Sequence, residues 1–241
     1  MDYTPADMMA VLLAREIRDG DRVFHGLASP LPMVAILLAR STHAPNLVYL
    51  NITGAVDPTP SRLPTSTVDP ALWEGARSRI TLADIFDLNA RGEMDLVFFG
   101  AAQVDRRGRI NLSAIGPWEA PKVRLPGGAG SAAMLPRARR AVVWRARHDR
   151  RTLVESVDFV TASGNLDRVI TPYAVFERRD GLLTLRSRHP YVSDETVVAE
   201  TGFALTPPCA VTAAPTAEEL EALRRVDPGG VRAVEFGSRN G

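Results

Sequence analysis

A glycine-rich segment between Lys122 and Met134 constrains this chain more than any other stretch. A short apolar run, Val123–Leu125, meets three glycines within four residues and then small residues that tolerate a helix. A strand, a tight turn and a helix N-terminus leave backbone N–H groups unpaired, and glycine lets a ligand approach the backbone closely. Such donors suit a phosphate, a carboxylate or a developing oxyanion. The spacing matches neither common nucleotide-binding fingerprint, and a purely structural turn is the alternative.

Within this segment the predicted anion- or oxyanion-binding loop comprises Gly127, Gly128, Ala129, Gly130 and Ser131. Ser131 has no recognisable base partner in the sequence and is interpreted as a helix N-cap. The N–H groups near Gly127, Gly128 and Gly130 are the expected donors.

Composition limits the classes of protein to consider. The chain has 241 residues, 45% hydrophobic and 24% charged, with a net charge of +1, which fits a soluble globular protein without a nucleic-acid footprint. One cysteine, Cys209, excludes an intrachain disulfide and a thiolate metal cluster. The N-terminus is acidic and no apolar run is long enough to span a bilayer, so a cytoplasmic protein without membrane contact is expected.

Helical and strand patterns alternate along the chain. Helices are predicted from the Thr4 cap to Ile17, with one buried face, and at Met33–Arg40, Thr81–Arg91, Asp194–Thr201 and from Thr216. Strands are predicted at Arg22–Leu27, Leu47–Ile52, Met94–Phe99, Arg140–Arg145 and Val157–Thr161, and hairpin turns at Asp105–Arg109 and Arg179–Gly181. The intervening segments Ala28–Pro32 and Thr53–Pro70 read as loops.

This order predicts an α/β fold with a single open, mostly parallel sheet and flanking helices. We expect one domain over residues 1–241, with a core at about 5–210, a C-terminal helix and tail at 211–241, and a loose end after Pro228. Ligands in such sheets bind beyond the carboxyl ends of the strands, where the Thr53–Pro70 loop begins.

Other polar residues give weak signals of chemistry. The four histidines show no metal-ligand spacing, so no metal site is predicted. His25 is interpreted as a structural histidine in a strand, and His43 and His148 as exposed loop residues. Asn111 lies at the far side of a hairpin, where an amide often ties the turn together.

Several segments, in order, resemble the beta subunits of the family I coenzyme A transferases. The resemblance rests on Val104–Ser113, Leu125–Ser131, Val157–Thr161, Val169–Thr171 with Ala174–Glu177, and His189 through Phe203. It covers residues 5 to 210 and implies the fold of that family. It also implies a coenzyme A thioester as substrate, with no permanently bound cofactor.

The family's transferase nucleophile is a glutamate just before a glycine, after the second core strand. The matching stretch here is Leu50–Gly54, which places Ile52 at the glutamate position. An isoleucine forms no acyl anhydride, so the resemblance implies no catalytic residue in this chain and a pocket lined by Ile52, Thr53, Gly54 and Asn111.

This departure resembles one branch of the family, the actinobacterial two-subunit hydrolases that open the last steroid rings during cholesterol degradation. The resemblance implies a beta subunit in an α2β2 complex, with the catalytic glutamate on a homologous alpha subunit. Two alternatives stay open: the beta subunit of a 3-oxoacid or glutaconate-type coenzyme A transferase, and a non-catalytic scaffold subunit.

Overall fold

The computed structural model describes residues 2–206 and 209–236. Its contacts divide the chain into two compact units: the first runs to Phe98 and resumes at Pro215, and the second spans Phe99–Ala214. The expected single domain over residues 1–241 stays a prediction. No helix within residues 2–206 and 209–236 is long and apolar enough to cross a bilayer.

The first unit begins with alternating helices and strands. They are α1 (Pro5–Arg15), β1 (Arg22–His25), α2 (Pro30–Ser41), β2 (Val48–Leu50), β3 (Ala55–Val56), a 3-10 turn (Pro70–Trp73), β4 (Ser78–Arg79), α3 (Leu82–Ala90) and β5 (Leu96–Gly100). Strand β1 pairs in parallel with both β5 and β2, whereas β2, β3 and β4 follow one another in antiparallel register. The predicted loop at Ala28–Pro32 is too long, because Pro30 supplies the first turn of α2, where a proline is tolerated.

The second unit contains the remaining strands and two short helices. They are β6 (Gln103–Asp105), β7 (Ile110–Asn111), β8 (Ala114–Ile115), β9 (Val123–Arg124), α4 (Ser131–Met134), β10 (Arg140–Trp144), β11 (Leu153–Val154), β12 (Leu166–Ile170), β13 (Ala174–Arg179), β14 (Leu182–Arg188), α5 (Asp194–Glu200) and β15 (Ala210–Val211). Strands β10 and β12 are parallel, β12, β13 and β14 form an antiparallel meander, and β15 is parallel to β14. Two smaller sheets have the strand orders β11-β6-β7 and β8-β9.

The predicted α/β fold with an open, mostly parallel sheet and flanking helices is confirmed. Both predicted hairpin turns are present. Asp180 and Gly181 have φ values of 49° and 81°, the left-handed pair that a two-residue turn requires. The strand predicted at Val157–Thr161 is wrong: this stretch is irregular.

Helix α1 is buried on all sides. A capping box begins it, in which the Thr4 side chain accepts the Asp7 N–H and Asp7 accepts the Thr4 N–H. Every residue from Ala6 to Ala14 is less than 9% exposed. The prediction of one buried face is therefore wrong, because α2 and a closing segment at residues 217–236 cover the other faces of α1.

The closing segment consists of α6 (Ala217–Val226) and a 3-10 helix (Val231–Phe236). The helix predicted from Thr216 is confirmed, and a capping box begins it, in which the Thr216 side chain accepts the Glu219 N–H and Glu219 accepts the Thr216 N–H. The prediction of a loose end after Pro228 is wrong for the residues up to 236. Val231 is buried, and the Arg232 guanidinium donates to Asp7 Oδ1 at 2.5 Å and to Asp227 Oδ2 at 2.9 Å.

Burial opposes ionisation of Asp7, but hydrogen bonds from Thr4 and Arg232 outweigh it and lower the pKa of this carboxyl.

The histidine assignments differ from expectation at one position. His148, expected to be exposed, is only 6% exposed, because it stacks on Tyr173 at a centroid distance of 4.8 Å.

We predict that Asp7→Asn lowers the free energy of unfolding by about 2 kcal/mol at neutral pH, since it removes a charge-assisted hydrogen bond to Arg232. The folded pKa of Asp7 lies below its ordinary value of 3.8. The stabilisation is therefore present at neutral pH and is lost only as the pH falls through that range. Urea unfolding measures both effects.

The matched control is Glu221→Gln, which breaks an ion pair with Arg225 between side chains that are 69% and 65% exposed. This variant should stay within about 0.5 kcal/mol of the wild type. Equal stabilities for the Asp7 and Glu221 variants would contradict the role assigned to Arg232.

Candidate functional site

Ile52, which the sequence resemblance matches to the family's glutamate, lies in a tight turn of the first unit. Strand β2 ends at Leu50, and the Asn51 N–H donates to Ala55 O at 2.9 Å while the Gly54 N–H donates to Asn51 O at 2.9 Å. Ile52, expected as the last residue of the strand, lies in this turn instead, where its side chain is half-buried.

Two further contacts fix the turn. The Asn51 Oδ1 atom accepts the Thr53 N–H at 2.8 Å. Gly54 has a φ of +86°, and a Cβ atom there would lie 2.1 Å from Ile80 O. Only glycine tolerates both the positive φ and the lack of space for a Cβ at position 54. The backbone that carries Ile52 is therefore held by Asn51 on one side and by Gly54 on the other.

A buried chain of hydrogen bonds leads from the turn to β1. His25 Nδ1 lies 2.9 Å from Gly26 O, which can only accept, so this nitrogen carries the proton. Burial lowers the pKa of His25 to about 4, and the neutral ring therefore accepts the Tyr49 hydroxyl proton at Nε2, at 2.6 Å. The Tyr49 oxygen in turn accepts from Asn51 Nδ2 at 2.8 Å. Burial also raises the pKa of Tyr49.

His25 is fully buried and both of its ring nitrogens are engaged. Each group in the chain has one defined role, and none is free to take a proton from a substrate. This series of hydrogen bonds therefore fixes the turn and supplies no general base.

The turn carries no carboxylate. Residues 47–56 contain neither aspartate nor glutamate. The next carboxylate, Asp57, accepts the Tyr49 N–H at 2.8 Å and lies 3.9 Å from Arg40 and 3.8 Å from Arg77. Thr53 Oγ1 is buried and has no hydrogen-bond partner among the described residues. A carboxylate nucleophile is therefore missing from this turn.

The glycine loop lies in the second unit between β9 and α4. The predicted strand Val123–Leu125 is one residue shorter, and the helix that follows has only four residues. Gly127 has a φ of +94°, and its N–H donates to Leu112 O at 2.8 Å. The expectation that Gly127 donates to a ligand is therefore wrong.

Three consecutive N–H groups remain available after Gly127. Those of Gly128, Ala129 and Gly130 make no hydrogen bond within residues 2–206 and 209–236. Ala129 has a φ of 43°, a left-handed conformation that alanine rarely adopts. The loop thus presents three unpaired backbone donors, and the middle one belongs to a residue in a strained conformation.

Ser131 is not the N-cap that the sequence predicted. It is the first residue of α4, whose N-cap is Gly130, and its Oγ donates to Gly128 O at 2.7 Å. Ser131 is 1% exposed. Its hydroxyl braces the loop from inside and is unsuited to attack a substrate.

Thr161 supports the loop from a distant part of the sequence. Its Oγ1 accepts the Leu112 N–H at 2.8 Å and lies 2.7 Å from Ser113 Oγ. Its Cγ2 atom lies 2.6 Å from where a Cβ on Gly128 would be, which explains the glycine there even though its φ is not positive. Sequence reasoning missed this role because it placed Thr161 in a strand.

Asn111 is a buried support of the same region. Its Nδ2 donates to Gln103 Oε1 at 2.7 Å and to Ala114 O at 2.6 Å, and its Oδ1 accepts the Ser113 N–H at 2.9 Å. The side chain is completely buried and its amide is fully engaged. The expectation that Asn111 lines the pocket is wrong. Its amide holds the turn at residues 111–114, whereas the predicted hairpin turn is held by Asp105 Oδ1, which accepts the Arg107 and Arg109 N–H groups at 2.9 and 3.0 Å.

Other nucleophiles and metal ligands are weak candidates. Burial raises the pKa of the Cys209 thiol, which lies 3.5 Å from Asp194 Oδ1. In the described part of the chain, no group of three His, Cys, Asp or Glu side chains is arranged to hold a metal ion.

Comparison with known proteins places these features in a family context. Residues 6–200 match the family model Coenzyme A transferase. A 3-oxoadipate CoA-transferase subunit of Pseudomonas knackmussii is 35% identical, over 93% of this chain and 94% of that protein. The cholesterol ring-cleaving hydrolase IpdB subunit of Mycobacterium tuberculosis is 30% identical, over 98% and 99%. A crystal structure of the decarboxylase AibA/AibB matches with a TM-score of 0.92 and 40% identity, over 98% of this chain and 100% of that one.

We predict that Gly128→Ala destabilises the second unit by about 1–3 kcal/mol, because the new Cβ overlaps the Thr161 methyl group. Adding Thr161→Ser removes this methyl group and keeps the hydroxyl that accepts the Leu112 N–H. The double variant should therefore recover most of the lost stability in a thermal melt.

Gly229→Ala is the control, because a Cβ at Gly229 meets nothing within 4 Å. A double variant no more stable than Gly128→Ala alone would show that Thr161 does not limit the residue at position 128.

We also predict that stability falls as the pH is lowered from about 6.5 to about 4, in part because of His25. Its ordinary pKa of 6.5 is lowered to about 4 in the folded chain, so the unfolded chain binds the proton first. The full effect is about 3 kcal/mol. His25→Gln should reduce this pH dependence in urea unfolding without abolishing it, because burial also lowers the pKa values of His148 and His189 to about 4.

Proposed function

Because this chain belongs to the coenzyme A transferase family, we propose that it is the beta subunit of a two-subunit enzyme that cleaves a carbon–carbon bond in an acyl-coenzyme A thioester. The turn at Ile52 carries this proposal. A transferase of this family needs a carboxylate there to accept the acyl group, and residues 47–56 supply none.

The chemistry that fits such a chain forms no acyl-enzyme on it. In a 3-oxo thioester, water adds to the ketone, the bond between the ketone carbon and the α-carbon breaks, and its electron pair passes to the thioester as an enolate. The enolate then takes up a proton at the α-carbon. The enzyme's main task is to stabilise the enolate oxygen, and the proton transfers need a base from elsewhere.

The glycine loop supplies groups suited to the first task. The N–H groups of Gly128, Ala129 and Gly130 are unpaired within the described chain, and a preorganised donor is commonly worth about 3 kcal/mol to such a transition state. These donors support the proposal from the second unit independently of the turn at Ile52.

The proposed reaction is the opening of a carbocyclic ring by water, in the late steps of steroid catabolism. The 30% identity to the cholesterol ring-cleaving hydrolase IpdB subunit supports it. Decarboxylation is a second candidate, supported by the 40% identity to a chain of the decarboxylase AibA/AibB. Loss of carbon dioxide leaves the same kind of enolate, so one loop suits both reactions.

A homologous alpha subunit is the proposed source of the missing carboxylate, in a cytoplasmic α2β2 complex. The two-component name of AibA/AibB supports a partner of this kind. The isolated chain should then be inactive, and assembly should bury well over about 1,000 Å² of surface.

The test uses the complex of this chain with its alpha subunit. The complex is incubated with three substrates: a cyclic 3-oxo thioester, an unsaturated dicarboxylic thioester, and a simple acyl thioester with a free acid acceptor. The masses of the products are measured by mass spectrometry. Gain of water supports the hydrolase and loss of carbon dioxide the decarboxylase.

Trapping with hydroxylamine or borohydride, followed by peptide mapping, tests the chemistry on this chain. No adduct should form on residues 47–57. An adduct there, or exchange of coenzyme A onto the free acid with ping-pong kinetics, would identify a transferase and overturn the proposal.

A further inference from the structure

A cavity lies in the first unit between the end of α2, the loop that follows β3 and the end of α6. Its volume is about 390 Å³, which is within the range of small-molecule sites. Apolar side chains and prolines form much of its wall: Leu37, Pro60, Leu63, Val226, Pro228 and Val231. Three arginines also line it, namely Arg40, Arg62 and Arg225. The cavity thus combines an apolar wall with cationic groups.

The cavity and the turn at Ile52 lie toward opposite ends of β2. Helix α2 ends at Ser41, shortly before the chain enters β2 at Val48, whereas the turn follows the last residue of β2. Strand β3 is antiparallel to β2, so the loop that follows β3 returns toward the start of β2. The cavity is therefore separate from the candidate turn.

Arg40 is a largely buried cation in this cavity. Its side chain is 20% exposed, and its Nη2 donates to Pro58 O at 2.6 Å, which is its one hydrogen bond within the described residues. The Asp57 carboxylate lies 3.9 Å away, beyond hydrogen-bond distance. Burial lowers the pKa of Arg40 despite this carboxylate. Most N–H donors of the guanidinium are therefore unused, and its charge is poorly compensated.

The rest of the lining adds positive charge. Arg62 makes no hydrogen bond or ion pair within residues 2–206 and 209–236. Arg225 pairs with Glu221 at an exposed position, where an ion pair contributes little. Asp227, the one carboxylate among the described residues that line the cavity, is 2% exposed and already accepts from Arg232 at 2.9 Å. The lining therefore carries an excess of positive charge.

We propose that this cavity binds a small organic acid, a carboxylate on an apolar body, at a site separate from the one proposed for the thioester. Arg40 binds the carboxylate, because a guanidinium donates two parallel hydrogen bonds to such a group. The apolar wall holds the carbon chain. An uncharged ligand would leave Arg40 uncompensated, and an inorganic anion would leave the apolar wall in contact with water, so an amphipathic anion suits the cavity best.

The probe is octanoate, and its binding to the full chain is measured by calorimetry. Octanamide has the same apolar body without the charge, and acetate has the charge without the body. The wild type should bind octanoate roughly 10-fold or more tightly than either of them. The charge-assisted hydrogen bonds and the burial of several methylene groups are each large enough for such a difference.

Arg40→Gln should abolish the preference for octanoate over octanamide and leave the affinity for octanamide unchanged. Arg62→Gln removes no contact within the described residues and should weaken octanoate binding about 2- to 5-fold. This second variant keeps the site testable if loss of the hydrogen bond to Pro58 O unfolds the first. Arg77→Gln is the matched control, because Arg77 also lies beside Asp57, at 3.8 Å, but does not line the cavity. It should bind octanoate as the wild type does.

Equal binding of octanoate and octanamide, or of octanoate and acetate, would overturn the inference. So would an unchanged affinity for octanoate in Arg40→Gln or in Arg62→Gln. Phosphate groups share the same chemistry with guanidinium, so octanoate is also titrated in the presence of coenzyme A. Unchanged binding supports a separate site, whereas displacement would assign the cavity to the phosphates of coenzyme A and contradict it. The experiment uses neither an alpha subunit nor a thioester, so its result is independent of the proposed reaction.

Discussion

The buried hydrogen-bond chain through His25, Tyr49 and Asn51 is the interaction on which the geometry of the candidate turn depends. Each donor in it has one acceptor, and the direction is set at one end by Gly26 O, which can only accept. The cost of burying these polar groups is offset only while all of them stay paired. A displaced turn would leave a buried group unsatisfied, so the chain resists small movements of the backbone at Ile52.

In the second unit, a buried hydrogen-bond network of different residues also fixes the backbone. Asn111 joins Gln103, Ala114 O and Ser113 N, and Gln103 Oε1 also accepts the Asp158 N–H at 3.1 Å. In each unit a buried asparagine amide fixes the backbone near a candidate functional segment. In the second unit the N–H groups of Gly128, Ala129 and Gly130 remain unpaired within the described residues. Such preorganisation lets donors act without rearranging during a reaction.

Local features of the fold were predictable from sequence, and distant ones were not. Capping boxes at Thr4 and Thr216, and the turn at Asp180-Gly181, depend on residues within four positions of one another. The burial of α1 on every side depends on packing against α2 and against the closing segment, whose Arg232 lies 225 residues from Asp7.

The same limit applied to the candidate site. The glycines of the loop identified it, but which N–H groups are free depended on Leu112, Thr161 and Ser131. Likewise, the departure at Ile52 was visible in a short motif, whereas the Trp73 to Thr53 hydrogen bond was not. The sequence was enough to locate the candidate segments. Which of their polar groups lack a hydrogen-bond partner depends on how distant residues pack against them.

The turn also explains how one backbone can serve different chemistry. Its contacts involve the Asn51 side chain, the backbone groups of Thr53 and Gly54, and the close approach of Ile80 O, and none of them uses the side chain at position 52. A change of the side chain at position 52 therefore removes none of these contacts that hold the turn. A carboxylate there would give a family transferase its acyl acceptor, whereas the half-buried isoleucine offers only apolar surface. The residue to which the proposed function assigns the choice of reaction is thus separate from the residues that fix the geometry of the turn.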